Sequence, residues 1–250
     1  MDLDLNGRCA LVTGASAGIG RATALALARE GATVIATARR AALLEYISVQ
    51  ARDTGGQILP FAADLATAEA LHRFVGTVQQ AAGPINIVVN CAGGTRPVAL
   101  DASEEDWEEA FSVNFTAARR LASAMLPAMK HAGWGRIINV TGILEPIGLN
   151  AAVAAKAALN LWSKGIARDV ARHGVTVNCI GPGRILTEQI RDKVHPTEES
   201  RQAFAERYIP MGRFGEPSDV ADLIVFLASP RASYITGAWI PVDGGMRRGQ

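Results

Sequence analysis

The sequence predicts a single α/β domain over residues 1–250, built on a doubly wound, seven-stranded parallel sheet with helices on both faces. Three observations lead there. Short β-branched runs alternate with alanine-rich helical stretches; the runs are apolar almost throughout, as in strands buried on both faces; and a glycine-rich turn joins the first strand to the first helix. Right-handed crossovers between parallel strands then favour one sheet wound in both directions.

The strands are read in order as CALVT (9–13), TVIAT (33–37), QILPFA (57–62), INIVVN (85–90), RIINV (136–140), VTVNCI (175–180) and AWIPV (238–242). Helical segments between them include 20–30, 71–82, 103–130 and 150–172. Ser103 has the features of a helix start. It can cap the helix, Asp106 follows at the third helical position, and Glu104 and Glu105 suit the positive end of the dipole.

Composition limits the function classes. Apolar residues make up 49% of the 250 and the formal net charge is +1, with charges scattered rather than clustered, which argues against nucleic acid or an anionic membrane as the main partner. The acidic N-terminus does not read as a signal peptide, and no apolar run is long enough for a bilayer. Three widely spaced cysteines, Cys9, Cys91 and Cys179, do not form a disulfide framework, so a soluble, reducing, cytoplasmic setting is expected. His72, His131 and His173 lack metal-ligand spacing, and no metal is expected. Cys91 reads as a small buried residue rather than a nucleophile.

The turn VTGASAGIGRA carries the first chemical signal. Gly14 can make a tight turn, Gly18 can let the backbone approach a pyrophosphate, and Gly20 can let the helix pack against the sheet. The helix N-terminus would offer free N–H groups and a positive dipole to phosphates.

TGASAGIG (13–20) resembles the cofactor fingerprint of the short-chain dehydrogenase/reductase family, and the likeness continues along essentially the whole chain. AADL supplies Asp64, NCAGG (90–94) resembles the family's NNAG motif, SVNFTA places Asn114 at its active-site asparagine, and NCIGPGRILT (178–187) resembles the PG-x-x-x-T segment near the nicotinamide. MGRFGEPSDVADLIVFLAS and ITGAWIPVDGG are similar to its C-terminal signatures. The resemblance implies a Rossmann-type domain, a nicotinamide dinucleotide and a homotetramer, with a dimer as the alternative. It implies cofactor contacts from Gly14, Ser16, Gly18, Ile19, Gly20, Asp64, Leu65, Asn90, Ala92, Gly93, Lys156, Pro182, Gly183, Ile185 and Thr187. The segment at about 187–212 corresponds to a lid over the substrate.

The second strand points to NADP(H), with NAD(H) as the alternative. Where an NAD-preferring member carries an acid for the ribose hydroxyls, this chain has Ala38, followed by Arg39 and Arg40. A guanidinium such as that of Arg39 can grip a 2′-phosphate that a carboxylate would repel. The competing reading is that both arginines begin a solvated helix, and Ala17 stands where NADP-preferring relatives often carry a second basic residue.

The family's Asn, Ser, Tyr and Lys cooperate: tyrosine donates the proton, lysine lowers its pKa and binds ribose, serine orients substrate, and asparagine holds a relay water. Asn114 and Lys156 fill two of these positions, but Ala152 stands where the tyrosine should be. The chain's tyrosines are Tyr46, Tyr208 and Tyr234, so no realignment restores a Tyr-x-x-x-Lys pair. Gly142 takes the serine position; the preceding Thr141 points to the opposite face of its strand and is not a simple replacement. Substitute donors are Glu145 in a shortened loop and Tyr208 or His195 in the lid. Ile143, Leu144 and Leu149 would suit a modest organic carbonyl. The sequence therefore predicts an NADP(H)-dependent oxidoreductase acting on a small carbonyl or alcohol with a non-standard proton donor; the alternative is a catalytically impaired cofactor-binding sensor or structural partner.

Overall fold

A computed structural model describes residues 2–143 and 148–248. Seven parallel strands form one sheet: β1 (Cys9–Thr13), β2 (Thr33–Ala38), β3 (Gln57–Ala62), β4 (Ile87–Asn90), β5 (Gly135–Val140), β6 (Val175–Pro182) and β7 (Trp239–Val242). Their order is β3-β2-β1-β4-β5-β6-β7. The chain winds outward from β1 in one direction and from β4 in the other, so the crevice beyond the C-terminal ends of β1 and β4 is the switch point where such sheets bind ligands. The expected doubly wound seven-stranded sheet is present, and its strands begin and end within two residues of the sequence reading.

The described residues form eight α-helices: α1 (Gly18–Arg29), α2 (Ala41–Arg52), α3 (Ala68–Ala82), α4 (Glu104–Phe111), α5 (Ala117–Ala132), α6 (Ala151–Val170), α7 (Glu198–Tyr208) and α8 (Pro217–Ala228), of which α1, α2 and α8 cover one face of the sheet and α3, α5 and α6 the other. Strand alternation assigns the faces. Ala10 and Val12 of β1 pack with α1, α2 and α8, whereas Cys9 and Leu11 pack with α3, α5 and α6. Both halves of each central strand therefore bury apolar side chains, which is why these strands read as continuous apolar runs.

The expected helix at 103–130 is present as one continuous helical run from Glu104 to Ala132, with a change of helical pitch inside it. Ser103 caps α4 as the sequence indicated, its hydroxyl accepting from the Asp106 N–H at 3.3 Å. At Ser112–Thr116, however, the chain makes a π-helical turn before α5 begins. Asn114 sits in that turn, and its Nδ2 donates to the Ala110 carbonyl at 2.9 Å, competing for an acceptor of the α-helical ladder. No helix among the described residues is long and apolar enough to cross a membrane.

Candidate active site

The glycine-rich turn lies at the C-terminal end of β1 and opens α1. Gly14 has φ +65°, and a Cβ there would lie 2.9 Å from the Ala92 nitrogen, so the turn and the β4 loop press backbone against backbone. The Ala92 N–H donates to the Thr13 hydroxyl at 3.0 Å across the same seam. Gly18 has φ +52°, and a Cβ would come 2.9 Å from the Thr187 methyl. That contact brings the PG-x-x-x-T segment onto the start of α1, whose first N–H groups, around Ile19, have no partner in the helix itself. Gly20 has a nearer cause than helix-to-sheet packing: a Cβ would run into the Gly14 carbonyl.

Ser16 is buried beside this turn, and its hydroxyl accepts from Arg40 Nε at 3.2 Å. Arg40 also pairs with Glu188 at 3.0 Å, reaching from the end of β2 to the residue after Thr187. Arg39 is exposed and forms no ion pair among the described residues. The guanidinium held at the turn is thus that of Arg40, one residue beyond the expected one.

Leu65, Asn90 and Ala92 converge on a small cavity of about 20 Å³, with Val113 completing one wall. Asn90 is 3% exposed; its Nδ2 donates to Asn139 Oδ1 at 2.7 Å, while its Oδ1 is buried without a partner among the described residues. Asp64 lies exposed beside Leu65, and its Oδ1 accepts from the Ala66 N–H at 3.0 Å. At the far end Pro182 closes β6, the Gly183 N–H donates to the Val242 carbonyl at 2.9 Å, Ile185 is buried against Gly215, and Thr187 starts a π-helical turn at Ile190–Val194.

Asn114, Gly93 and Lys156 meet in one place. A Cβ on Gly93 would lie 2.7 Å from Asn114 Oδ1 and 3.4 Å from Lys156 Nζ. Asn114 is buried, and its Oδ1 accepts from the Gly94 N–H at 3.0 Å. Lys156 Nζ donates to the Val140 carbonyl at the end of β5, at 3.4 Å, and has no carboxylate partner among the described residues. Burial lowers its pKa below the ordinary lysine value. Burial also pushes the Cys91 thiol up to about 12, so Cys91 is protonated at neutral pH and supplies no counter-charge. That agrees with Cys91 as an inert small residue.

No hydroxyl stands in for the standard pair. Ala152 is 2% exposed in the first turn of α6, four residues before Lys156. Gly142 has φ +85° with open space around its missing side chain. Thr141, the residue before the serine position, has its hydroxyl engaged elsewhere: it is 1% exposed, donates to the Ile180 carbonyl at 3.1 Å, and accepts from Trp239 Nε1 at 3.2 Å. Glu145 and Leu144 lie outside the described residues. Tyr208 packs on Phe204 with ring centroids 4.7 Å apart, and His195 packs against Phe204 and Phe214, so both belong to an aromatic cluster around α7.

One positioning residue escaped the sequence reading. Asn150 caps α6, its Oδ1 accepting from the Ala152 N–H at 3.0 Å and the Arg96 N–H at 3.2 Å, while its Nδ2 donates to Thr95 at 2.8 Å. It ties the helix bearing Lys156 to the loop bearing Gly93. An asparagine before an alanine-rich helix was the available signal.

Comparison with known proteins agrees with this geometry. Residues 14–247 match the family described as Enoyl-(Acyl carrier protein) reductase. The 3-oxoacyl-[acyl-carrier-protein] reductase FabG of Pseudomonas aeruginosa is 39% identical over 249 residues, covering 98% of this chain and 99% of that protein. The 2-keto-3-deoxy-L-fuconate dehydrogenase of Xanthomonas campestris is 39% identical over 250 residues, covering 96% of this chain and 80% of its own. L-sorbose reductase from Gluconobacter frateurii, solved with NADPH and L-sorbose, is 33% identical with a TM-score of 0.94, each chain covered in full. Likeness at this identity over nearly the whole length, on a sheet with the same switch point, means that the chain belongs to the short-chain dehydrogenase/reductase family.

Proposed function

We propose that the chain is an NADP(H)-dependent oxidoreductase acting on a small carbonyl or alcohol, with the Lys156 ammonium as proton donor in place of the absent phenol. The observation that carries it is the junction of Lys156, Asn114 and Gly93 at the switch point, with only a methyl group one helical turn before the lysine. The residues fit a dinucleotide. Gly14 and Gly18 keep the turn open, the α1 N-terminus faces it, and the orphaned Asn90 Oδ1 stands among Leu65, Ala92 and Val113. NADPH and NADP accompany solved relatives at 33% and 30% identity. Arg40 beside Ser16 is the cation suited to a 2′-phosphate, and Arg39 next to it is the alternative.

The bound dinucleotide would supply or accept the hydride. Lys156 would hold the substrate oxygen and give it a proton as the carbonyl becomes an alcohol, then regain a proton from water. A donor with a pKa lowered toward the working pH is better matched to this task than an ordinary lysine. Asn114, fixed by Ala110 and Gly94, would keep the lysine and the β4 loop in register.

A second reading, a cofactor-binding sensor or structural partner without turnover, is favoured by one observation: Thr141 is engaged elsewhere and Gly142 and Ala152 carry no hydroxyl. NADPH fluorescence titration followed by oxidation assays over a panel of ketones, aldehydes and oxo acids separates the two. Tight NADPH binding with turnover that falls in Lys156→Met supports the first; tight binding with no oxidation of any panel member supports the second. A homotetramer, or a dimer, in the cytoplasm completes the proposal. The groove of about 410 Å³ between α5 and α6, lined by Leu126, Pro127, Ile166 and Val170, would take a second copy.

A further inference from the structure

Arg184 follows Pro182 and Gly183 at the C-terminal end of β6, the end of the sheet that carries Lys156 and the glycine-rich turn. Its guanidinium carbon lies 4.9 Å from the centre of the Phe204 ring of α7, so it sits between the sheet and the lid helix. Its Nε is buried with no hydrogen-bond partner, and it forms no ion pair with any carboxylate among the described residues. His195 packs against the same Phe204 ring, at 4.7 Å between centroids, and against Phe214, and its Nε2 is likewise buried without a partner among the described residues. The third cation nearby, Arg201, donates to the His195 carbonyl at 2.9 Å and is already paired with Glu198. The lid base therefore holds one half-buried guanidinium without a carboxylate partner and one imidazole nitrogen without a hydrogen-bond partner among the described residues, both against Phe204, a ring of the apolar cluster that also includes Leu186, Ile190 and Met246.

Buried cations are retained when something pairs with them, and a planar guanidinium edge with a neighbouring N–H is a fit for an oxyanion. Burial and the two neighbouring arginines also hold His195 below the usual histidine range, leaving a neutral ring that can donate through Nε2–H. We propose that Arg184 and His195 bind an anionic group of the substrate, a carboxylate or a phosphate, beneath the lid. This deepens the oxidoreductase reading and rests on it for the substrate's other half. It selects an oxo acid or a phosphorylated ketone over a neutral carbonyl of the same skeleton.

The test compares matched probes: a 3-oxo acid, its methyl ester, and a phosphorylated ketone of similar length. Expected for the wild type is a kcat/KM at least tenfold higher for one of the charged probes than for the ester, the better charged probe identifying the anion. In Arg184→Gln that ratio should collapse about tenfold or more, with Arg184→Lys intermediate and His195→Phe losing part of it. The ratio matters because mere loosening of α7 would lower turnover of all probes together. An ester used as well as both charged probes by the wild type, or an unchanged ratio in Arg184→Gln, overturns the proposal. If no probe is turned over, the oxidoreductase reading fails separately; the subsite is then judged by binding of the charged probes to the NADPH-loaded protein, which Arg184→Gln must weaken about tenfold or more for the proposal to stand.

Discussion

Restoring a phenol at position 152 is the most direct perturbation of the proposed chemistry. In Ala152→Tyr the new side chain would start one helical turn before Lys156, about 6 Å along the axis of α6. Its backbone is already held: the Ala152 N–H donates to Asn150 Oδ1 at 3.0 Å, so the starting point of the side chain is fixed. A positioned general acid is worth about 10²–10⁴ in rate, or about 3–5 kcal/mol of barrier, if Lys156 alone is a poor donor. Ala152 is 2% exposed, and the added ring costs stability of about 1–3 kcal/mol by overpacking. That cost falls on folding, not on the barrier. The expected result is a kcat raised about 100-fold with NADPH affinity within a factor of a few, read by steady-state coenzyme oxidation and by fluorescence titration. The pH profile gives a second reading. In the parent, reduction requires a protonated Lys156, so its rate should fall with rising pH through a value below 10.5; the phenol should remove that limb's dependence on the lysine. A folded, NADPH-binding Ala152→Tyr protein with unchanged turnover would refute the assignment of the vacant donor position, because the proton would then come from a group that does not compete with the phenol.

Four other outcomes are expected. Gly14→Ala should abolish NADPH binding in fluorescence titration, since φ +65° and a contact of 2.9 Å with the Ala92 backbone leave the new methyl no place. Asn114→Ala leaves the Ala110 carbonyl and Gly94 N–H without their partner and should cost about 1–3 kcal/mol in urea unfolding, with the π-helical turn relaxing. Arg40→Ala should weaken NADPH about 10- to 100-fold and leave NADH within a factor of two, measured as Kd for each. Stability should also fall above pH 9, because Cys9 and Cys179 are pushed up to about 11 and Cys91 to about 12 by burial. The native state then keeps protons that the unfolded chain releases near 9.0, a loss of at most about 1.4 kcal/mol per pH unit for each thiol. Lys156 and Arg136, both lowered by burial, act in the opposite sense, so the effect is read as a shallower pH slope of the urea midpoint in Cys179→Ala than in the wild type.

The sheet was legible because each central strand buries both faces. CALVT carries no polar alternation to blur its ends, and β1 begins and ends where that run does. The glycine-rich turn was legible for a related reason: its glycines answer backbone contacts, with Ala92 and within the turn, that no other residue type tolerates. The π-helical turn between α4 and α5 was not legible. Helical periodicity runs unbroken through SVNFT, and the π-helical turn depends on Asn114 finding both Ala110 and a loop 20 residues away in sequence. The same holds for Arg40 over Arg39. Adjacent arginines look alike in sequence, and only the placement of Ser16 and Glu188 decides which is held at the turn.

Gly142 changes how the missing serine should be understood. Had the position only lost its hydroxyl, the backbone would still be extended and Gly142→Ser would restore the residue freely. Instead its φ is +85°, where an L side chain costs about 1–2 kcal/mol, even though no atom of the described residues lies within 4 Å of the added Cβ. The left-handed residue turns the chain just after Thr141, whose hydroxyl is already tied to Ile180 and Trp239. Loss of the serine thus goes with a changed backbone conformation at 142 itself, whereas loss of the tyrosine is a side-chain change on an intact, Asn150-capped helix. Gly142→Ser should therefore lower stability with no gain in turnover, and added to Ala152→Tyr it should give less than the single tyrosine variant. A double variant faster than Ala152→Tyr, with an unchanged urea midpoint, would show that the backbone at 142 reverts without strain and that the two losses are independent.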